Sequence, residues 1–489
     1  MRVTRQSPDA GTGFDRFGHA AVAVVLVVAF LTGGGASDRG IGDVATQLLA
    51  LPLLGWALVT LCAAPGSGLR RAAVAMALLI PAILALQQLP VSEALWRSVA
   101  VRDALAVDVQ AAGVGASRHV WALSPLAAER GLWSVLPALA VFLGTLALPL
   151  RWHRPLLLLV VALGAASMVL GFLQLGLPQD SILNPFPDLL PMFGGVFAHF
   201  NHQATMLGVC VVIITAVLVD DARRDDPTAL PRWARFGLIV LAVFLFASLP
   251  LTTSRAMGAL TVLGLVAVPL LLRRGRHAPG ASAGTSPWVS RATTAVLGLV
   301  GLAAIAAAVG WLRFDIAEEV RWSAAKATAV LAQAHSPLGA GVGSFVGWFD
   351  QAAPDALTQQ PYYQNHAHNE YAQWWFESGV LGVLALAAAV ALLLVGYPAR
   401  PGSRGGRGDH GIAVAAWLGC VLMLMHSWVD YPLRTPALMT VAGLLAGIVV
   451  AQRIARGPRR ERKPSAASIR SPAMPSPSTP SPSTASPAA

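Results

Sequence analysis

Long uncharged apolar stretches recur along this chain, and they leave few folds open to it. Runs of about 17 to 25 apolar residues are what a helix needs to cross the hydrocarbon core of a bilayer. Twelve such runs are present, at approximately 19–34, 44–64, 72–88, 132–150, 155–174, 204–219, 236–252, 256–272, 294–312, 379–397, 412–429 and 436–451. Composition agrees, with 55% hydrophobic and only 12% charged residues, whereas a soluble domain carries roughly 25% charged residues. The expected fold class is an all-α polytopic membrane protein of about twelve transmembrane helices. Cys62, Cys210 and Cys420 all fall inside apolar runs and read as packing residues rather than as a disulfide framework or a zinc site. The net charge of +11 does not mark a nucleic-acid binder, because the arginines stand in short clusters between the apolar runs rather than along one face.

Those clusters set orientation. With the N-terminus inside, the cytoplasmic segments hold 25 Lys and Arg and the outer segments 10, which by the positive-inside bias puts both termini in the cytoplasm. The first run has the basic start and small-residue end (Gly33 to Ser37) of a secretory signal, but with eleven spans behind it the expectation is an uncleaved anchor. Residues 1–452 then form one membrane domain. Residues 453–489, dominated past Pro464 by Pro, Ser, Thr and Ala, read as a disordered cytoplasmic tail that cannot bury a core.

The polar residues gather in the outer segments. The largest, Phe314–Ser378, lies between two apolar runs and spends histidines, carboxylates and aromatics in a short space, which is costly near a membrane unless something uses them. Its first part carries Val320, Ala324, Ala327 and Leu331 on one face of a helix, with Arg321 just off that face. Gly339, Gly341 and Gly343 follow; they could bring backbone N–H groups close to a ligand, or simply make a turn. Next come His366 and His368, then Asn369 as a helix N-cap with Glu370 in the first turn, and aromatics running past Glu377 to Gly379. Taken alone, this last stretch could equally be an interfacial aromatic belt with a capping asparagine. The outer loop from Gln88 to Arg130, with Trp96, Trp121 and the amphipathic piece Leu105 to Val109, suggests interfacial helices or a lid. In the loop Gly176 to Gln203, His199 and His202 stand at metal-ligand spacing without a nearby carboxylate, so they and Asn201 read as polar lining of a cavity mouth. Arg255 follows a very short outer turn, where it is either a snorkelling side chain or an anion ligand. The last outer turn, Met425 to Arg434, contains His426 and Asp430 and has no assignable role.

Taken together, Ser254-Arg255, the Arg321 helix, Pro-Leu-Gly-x-Gly-x-Gly-Ser-Phe, His-Asn-x-Tyr and Glu377-Ser-Gly-x-Leu-Gly382 occur in an order, and on one side of the membrane, that resembles the O-antigen ligase and polymerase family. The resemblance is specific from about Gly194 to Gly382. It implies a fold like that of the GT-C membrane glycosyltransferases, in the bacterial inner membrane. It also implies transfer of a glycan from an undecaprenyl-diphosphate carrier at the periplasmic face to a glycan, lipid A–core or protein acceptor, with no metal or other cofactor and no nucleic-acid partner. On that footing Arg255 and Arg321 are expected to hold the diphosphate, since guanidinium groups bind phosphate bidentately. His368 is expected to be the general base, oriented by Asn369, Glu370 or Glu377, with His366 its nearest rival. His199, Asn201, Gly341, Gly343 and His426 are expected to line the site. The competing class, a lipid-linked oligosaccharide flippase or other transporter, would place ionisable residues deep in its spans, whereas these spans are nearly free of charge.

Overall fold

A computed structural model describes residues 8–36, 40–64, 66–113, 119–187, 193–222, 230–272, 316–353, 364–398 and 409–456. The described residues are overwhelmingly helical. They form α1 (Pro8–Thr32), α2 (Ile41–Ala63), α3 (Gly68–Leu86), α4 (Glu93–Arg97), α5 (Ala100–Ala111), α6 (Pro125–Ser134), α7 (Leu136–Ala147), α8 (His153–Gly176), α9 (Phe200–Asp221), α10 (Arg232–Ser248) and α11 (Arg255–Leu272). After these come α12 (Ile316–Ala334), α13 (Phe345–Ala352), α14 (Glu370–Val395), α15 (His410–His426) and α16 (Pro436–Ala455). Among the described residues ten helical stretches are long and apolar enough to cross a membrane. The shorter apolar helix α15 occupies the expected run at 412–429. The expected span at 294–312 and the tail at 457–489 lie outside the described residues, so the count of twelve is not reached.

Helix α9 is the centre of the bundle. From Asn201 to Val217 every residue is buried, because the helix is apolar on all sides and so must be enclosed by others. It packs against α8, α10, α11 and α15. Its contact with α11 relies on small residues: a Cβ on Gly208 would lie 2.3 Å from the Thr261 hydroxyl, and one on Gly264 would lie 2.6 Å from Val212. Such close approach is how helices associate where lipid removes the hydrophobic drive between them. The pairing of 208 with 261 and 212 with 264 runs parallel, so Arg255 stands at the same end of the bundle as the start of α9. The outward face of α10, by contrast, leaves Trp233, Phe236 and Phe244 exposed, as a lipid-facing helix does.

The described parts of residues 314–378 form the helices and the turn that their patterns suggest. In α12, Ala324 and Leu331 are buried and Val320 and Ala327 pack beside them against Phe345, Phe349 and Phe376. Helix α14 is broken at Gly379, whose φ of 59° and ψ of −152° belong to a region essentially reserved for glycine. The turn at 337–343 sits in that notch: the Val380 N–H donates to Pro337 O at 3.0 Å, and a Cβ on Gly379 would meet Pro337 O at 2.2 Å. The loop between α3 and α6 then clamps the same turn from outside. The Trp121 indole donates to Leu338 O at 2.6 Å, and the fully buried Arg102 donates to Trp121 O and Gly339 O, both at 2.7 Å.

Candidate functional site

The site grows from the junction of three helix ends. Asn369 caps α14, its side chain accepting from the Ala372 N–H at 3.0 Å and its amide donating to Trp428 O at 2.9 Å. One oxygen of Glu370 accepts from the Leu433 N–H at 2.7 Å, and the Tyr371 hydroxyl donates to Leu424 O at 2.6 Å. These bonds bolt the start of α14 to the end of α15 and to the turn at 427–435. At the neighbouring helix end His199 caps α9, its Nδ1 accepting from the Asn201 N–H at 3.1 Å. Burial pulls His199 down to about 3, so it is a neutral cap, and the nearby charge of Asp430 only partly opposes that shift.

Asp430, fully buried in the turn between α15 and α16, is where these elements meet. The Asn201 amide donates to its carboxylate, and so does the Tyr431 N–H at 2.8 Å. His202 Nε2 and His368 Nδ1 each lie 3.7 Å from Oδ1, and a guanidinium nitrogen of Arg321 lies 4.0 Å from Oδ2. Burial alone would push this carboxyl up; the imidazoles of His202 and His368 outweigh it and hold Asp430 well below the usual carboxylate range. It is an anion at any ordinary pH. Around it four imidazoles surround the Tyr431 ring, with centroids at 4.4 Å for His366, 4.9 Å for His202 and His368, and 6.1 Å for His199. His368 takes a left-handed backbone conformation, φ 51°, and keeps 12% of its side chain exposed.

A second network lies alongside. Arg434 and the fully buried Glu377 form an ion pair at 2.7 Å. The Gln373 amide donates to Glu377 at 3.0 Å, contacts His366 Nδ1 at 3.0 Å, and accepts from the Ala367 N–H at 3.0 Å. Burial works against the charged form of Arg434, but Glu377 and Glu370 outweigh it and raise this guanidinium above its ordinary value.

The expected residues fall into four groups. Asn201, His199, Arg321, His366 and His368 come together around Asp430 and Tyr431, while Asn369, Glu370 and Glu377 hold the supporting turn. His426 sits beneath the cluster with Nδ1 2.8 Å from the Thr205 hydroxyl, and Arg255 opens α11, half-buried, at this same end. The glycine turn does not present its N–H groups to a ligand. Gly341 donates to Glu377 O at 2.9 Å and Gly343 to the Glu377 carboxylate at 3.2 Å, so both are committed to protein acceptors. Asp430, Tyr431 and Arg434 had no assigned role in the sequence reading. One signal did point to them: ionisable residues in a turn of fewer than ten residues between two apolar runs are costly without a partner. Among the described residues no group of three or more His, Cys, Asp or Glu is arranged to hold a metal ion.

No curated protein matches the chain. The stretch from 189 to 387, which carries Asn201, Arg255, Arg321 and His368 but stops short of Asp430, matches the family model described as O-Antigen ligase. With the motif order and the all-helical membrane architecture, this match supports the resemblance of the stretch 189–387 to the O-antigen ligase and polymerase family.

Proposed function

We propose that this protein transfers a glycan from an undecaprenyl-diphosphate carrier to a sugar or protein acceptor at the outer face of the bacterial inner membrane. The observation that carries the proposal is the approach of Arg321 and His368, from two separate elements, to one buried carboxylate, Asp430. His368 Nδ1 faces Asp430, which leaves Nε2 on the far side of the ring to take the proton of an acceptor hydroxyl. The acceptor oxygen then bonds to the anomeric carbon as the bond from that carbon to the phosphate oxygen breaks. The electron pair leaves with the lipid diphosphate, whose charge Arg321 and Arg255 are suited to neutralise. The imidazolium formed at His368 is stabilised by Asp430, as a carboxylate behind a histidine base does elsewhere.

The test is glycan transfer by purified variants, with an undecaprenyl-diphosphate-linked glycan as donor, from pH 5 to 9. His368→Ala is expected to lower the rate on the order of 100- to 10,000-fold, the range that a general base contributes. Arg255→Lys and Arg321→Lys are expected to keep partial activity and the alanine variants to lose it, because lysine preserves charge but not the planar fork. Normal transfer by both arginine-to-alanine variants, at wild-type protein levels, would overturn the assignment. Ligation to lipid A–core, polymerisation and transfer to protein share this donor chemistry, and a deletion strain distinguishes them by which polymer is lost or left unattached.

A further inference from the structure

His366 and His368 stand two residues apart beside the same tyrosine ring, and hydrogen-bond logic separates them. The Ala367 N–H can only donate, so the Gln373 atom that receives it must be the carbonyl oxygen. The other end of the amide is therefore the NH2 group. One of its hydrogens goes to the Glu377 carboxylate and the other to His366 Nδ1. Turning the amide over would set oxygen against carboxylate and NH2 against N–H, so the orientation is forced. Glu377 is in turn anchored by Arg434 at 2.7 Å and by the Gly343 N–H at 3.2 Å.

We infer that Gln373 is a positioning residue that locks His366 in the tautomer bearing its hydrogen on Nε2. His366 then serves the site as a hydrogen-bond donor, and the base role falls to His368. The inference rests on the functional reading above for the words donor and base, but the tautomer stands on geometry alone. The groups facing His366 agree with a neutral ring: Arg434, His368, His202 and Tyr431 lie about it, and Glu377 reaches it only through the Gln373 amide. Burial, helped by the Arg434 charge, lowers His366 well below an ordinary histidine. A neutral Nε2–H beside the reacting diphosphate would donate to the oxygen that gains charge as the glycosyl bond breaks.

Two readouts test this. In long-range proton–nitrogen spectra of histidine-labelled protein, assigned with His366→Gln, His366 is expected to show a bare Nδ1 and a protonated Nε2 from pH 5 to 8. In Gln373→Glu, a carboxylate facing Nδ1 is expected to make the ring doubly protonated near neutrality and to add an ionisation to the pH–rate profile. In the transfer assay, glutamine places its NH2 where Nε2–H stood and asparagine does not. His366→Asn and His366→Ala should therefore lose on the order of 100-fold in kcat, the cost of one transition-state donor, with His366→Gln retaining most of it. His368→Gln should stay inactive, since an amide cannot take a proton. A wild-type His366 protonated on Nδ1, or equal losses in folded His366→Gln and His366→Ala, would overturn the inference. Full activity in His368→Ala would instead sink the base assignment, while the spectra still decide the tautomer.

Discussion

A carboxylate with no exposed surface is stable only if the groups around it repay its lost hydration. Asp430 has Asn201, the Tyr431 N–H, two imidazoles and Arg321 for that purpose. Its substitution should thus separate support of the base from simple folding. Asp430→Asn keeps the shape and is expected to reduce transfer by about 100-fold or more, because His368 loses the charge that stabilises its protonated form. The check is kcat with protein level and thermal midpoint measured in parallel, and unchanged kcat would refute the role. Little at this scale was legible beforehand. His368, Arg321 and Asn201 stand in recognisable local patterns, but the partner that unites them is 229 residues beyond Asn201, and nothing local encodes such a pairing. His199 was legible in part. Its place beside His368 and Tyr431 agrees with the polar lining expected of it, but the use of its Nδ1 to cap its own helix was not foreseen.

Short-range physics was more readable among the elements. The Asn369 cap and the apolar face of α12 follow from propensity and periodicity, and both are present. What periodicity could not supply is the use of the glycines, since a turn that cradles a ligand and a turn that fills a notch are written alike. Gly379 is the sensitive point of that notch. Gly379→Ala would hold alanine at φ 59° and bring its Cβ to 2.2 Å from Pro337 O. A loss of at least about 2 kcal/mol is expected from the backbone conformation alone, read as a lowered thermal midpoint in detergent. Gly237, inside α10 with nothing near its Cβ, is the control, and Gly237→Ala should not lower the midpoint.

The whole molecule carries a pH signature and an orientation. His199, at about 3, and the lowered His335 and His366 are held neutral by burial, whereas in the unfolded chain each would titrate near 6.5. Below about 6.5 the unfolded state therefore binds more protons, and stability must fall as pH falls. Asp430 acts in the same direction but at lower pH: its contribution is present above about 3.9 and is lost only as pH drops through its depressed folded value. From about 6.5 down to 4 the histidines act alone, and a thermal midpoint that stays flat between pH 8 and 5 would contradict this. For orientation, the Lys and Arg asymmetry predicts that Gln333→Cys reacts with an impermeant maleimide once the outer membrane is opened. Gly66→Cys should react only after the inner membrane is breached, with the exposed Cys62 replaced by serine in both. A final consequence concerns the ribosome. The cluster draws on residues near 200, 320 and 368 and closes on a carboxylate at 430, so on the proposed mechanism a nascent chain can insert most of its helices and still be chemically silent. Activity would switch on only when the last hairpin enters the membrane, and a product stalled before it would carry both donor-binding arginines and yet consume no substrate.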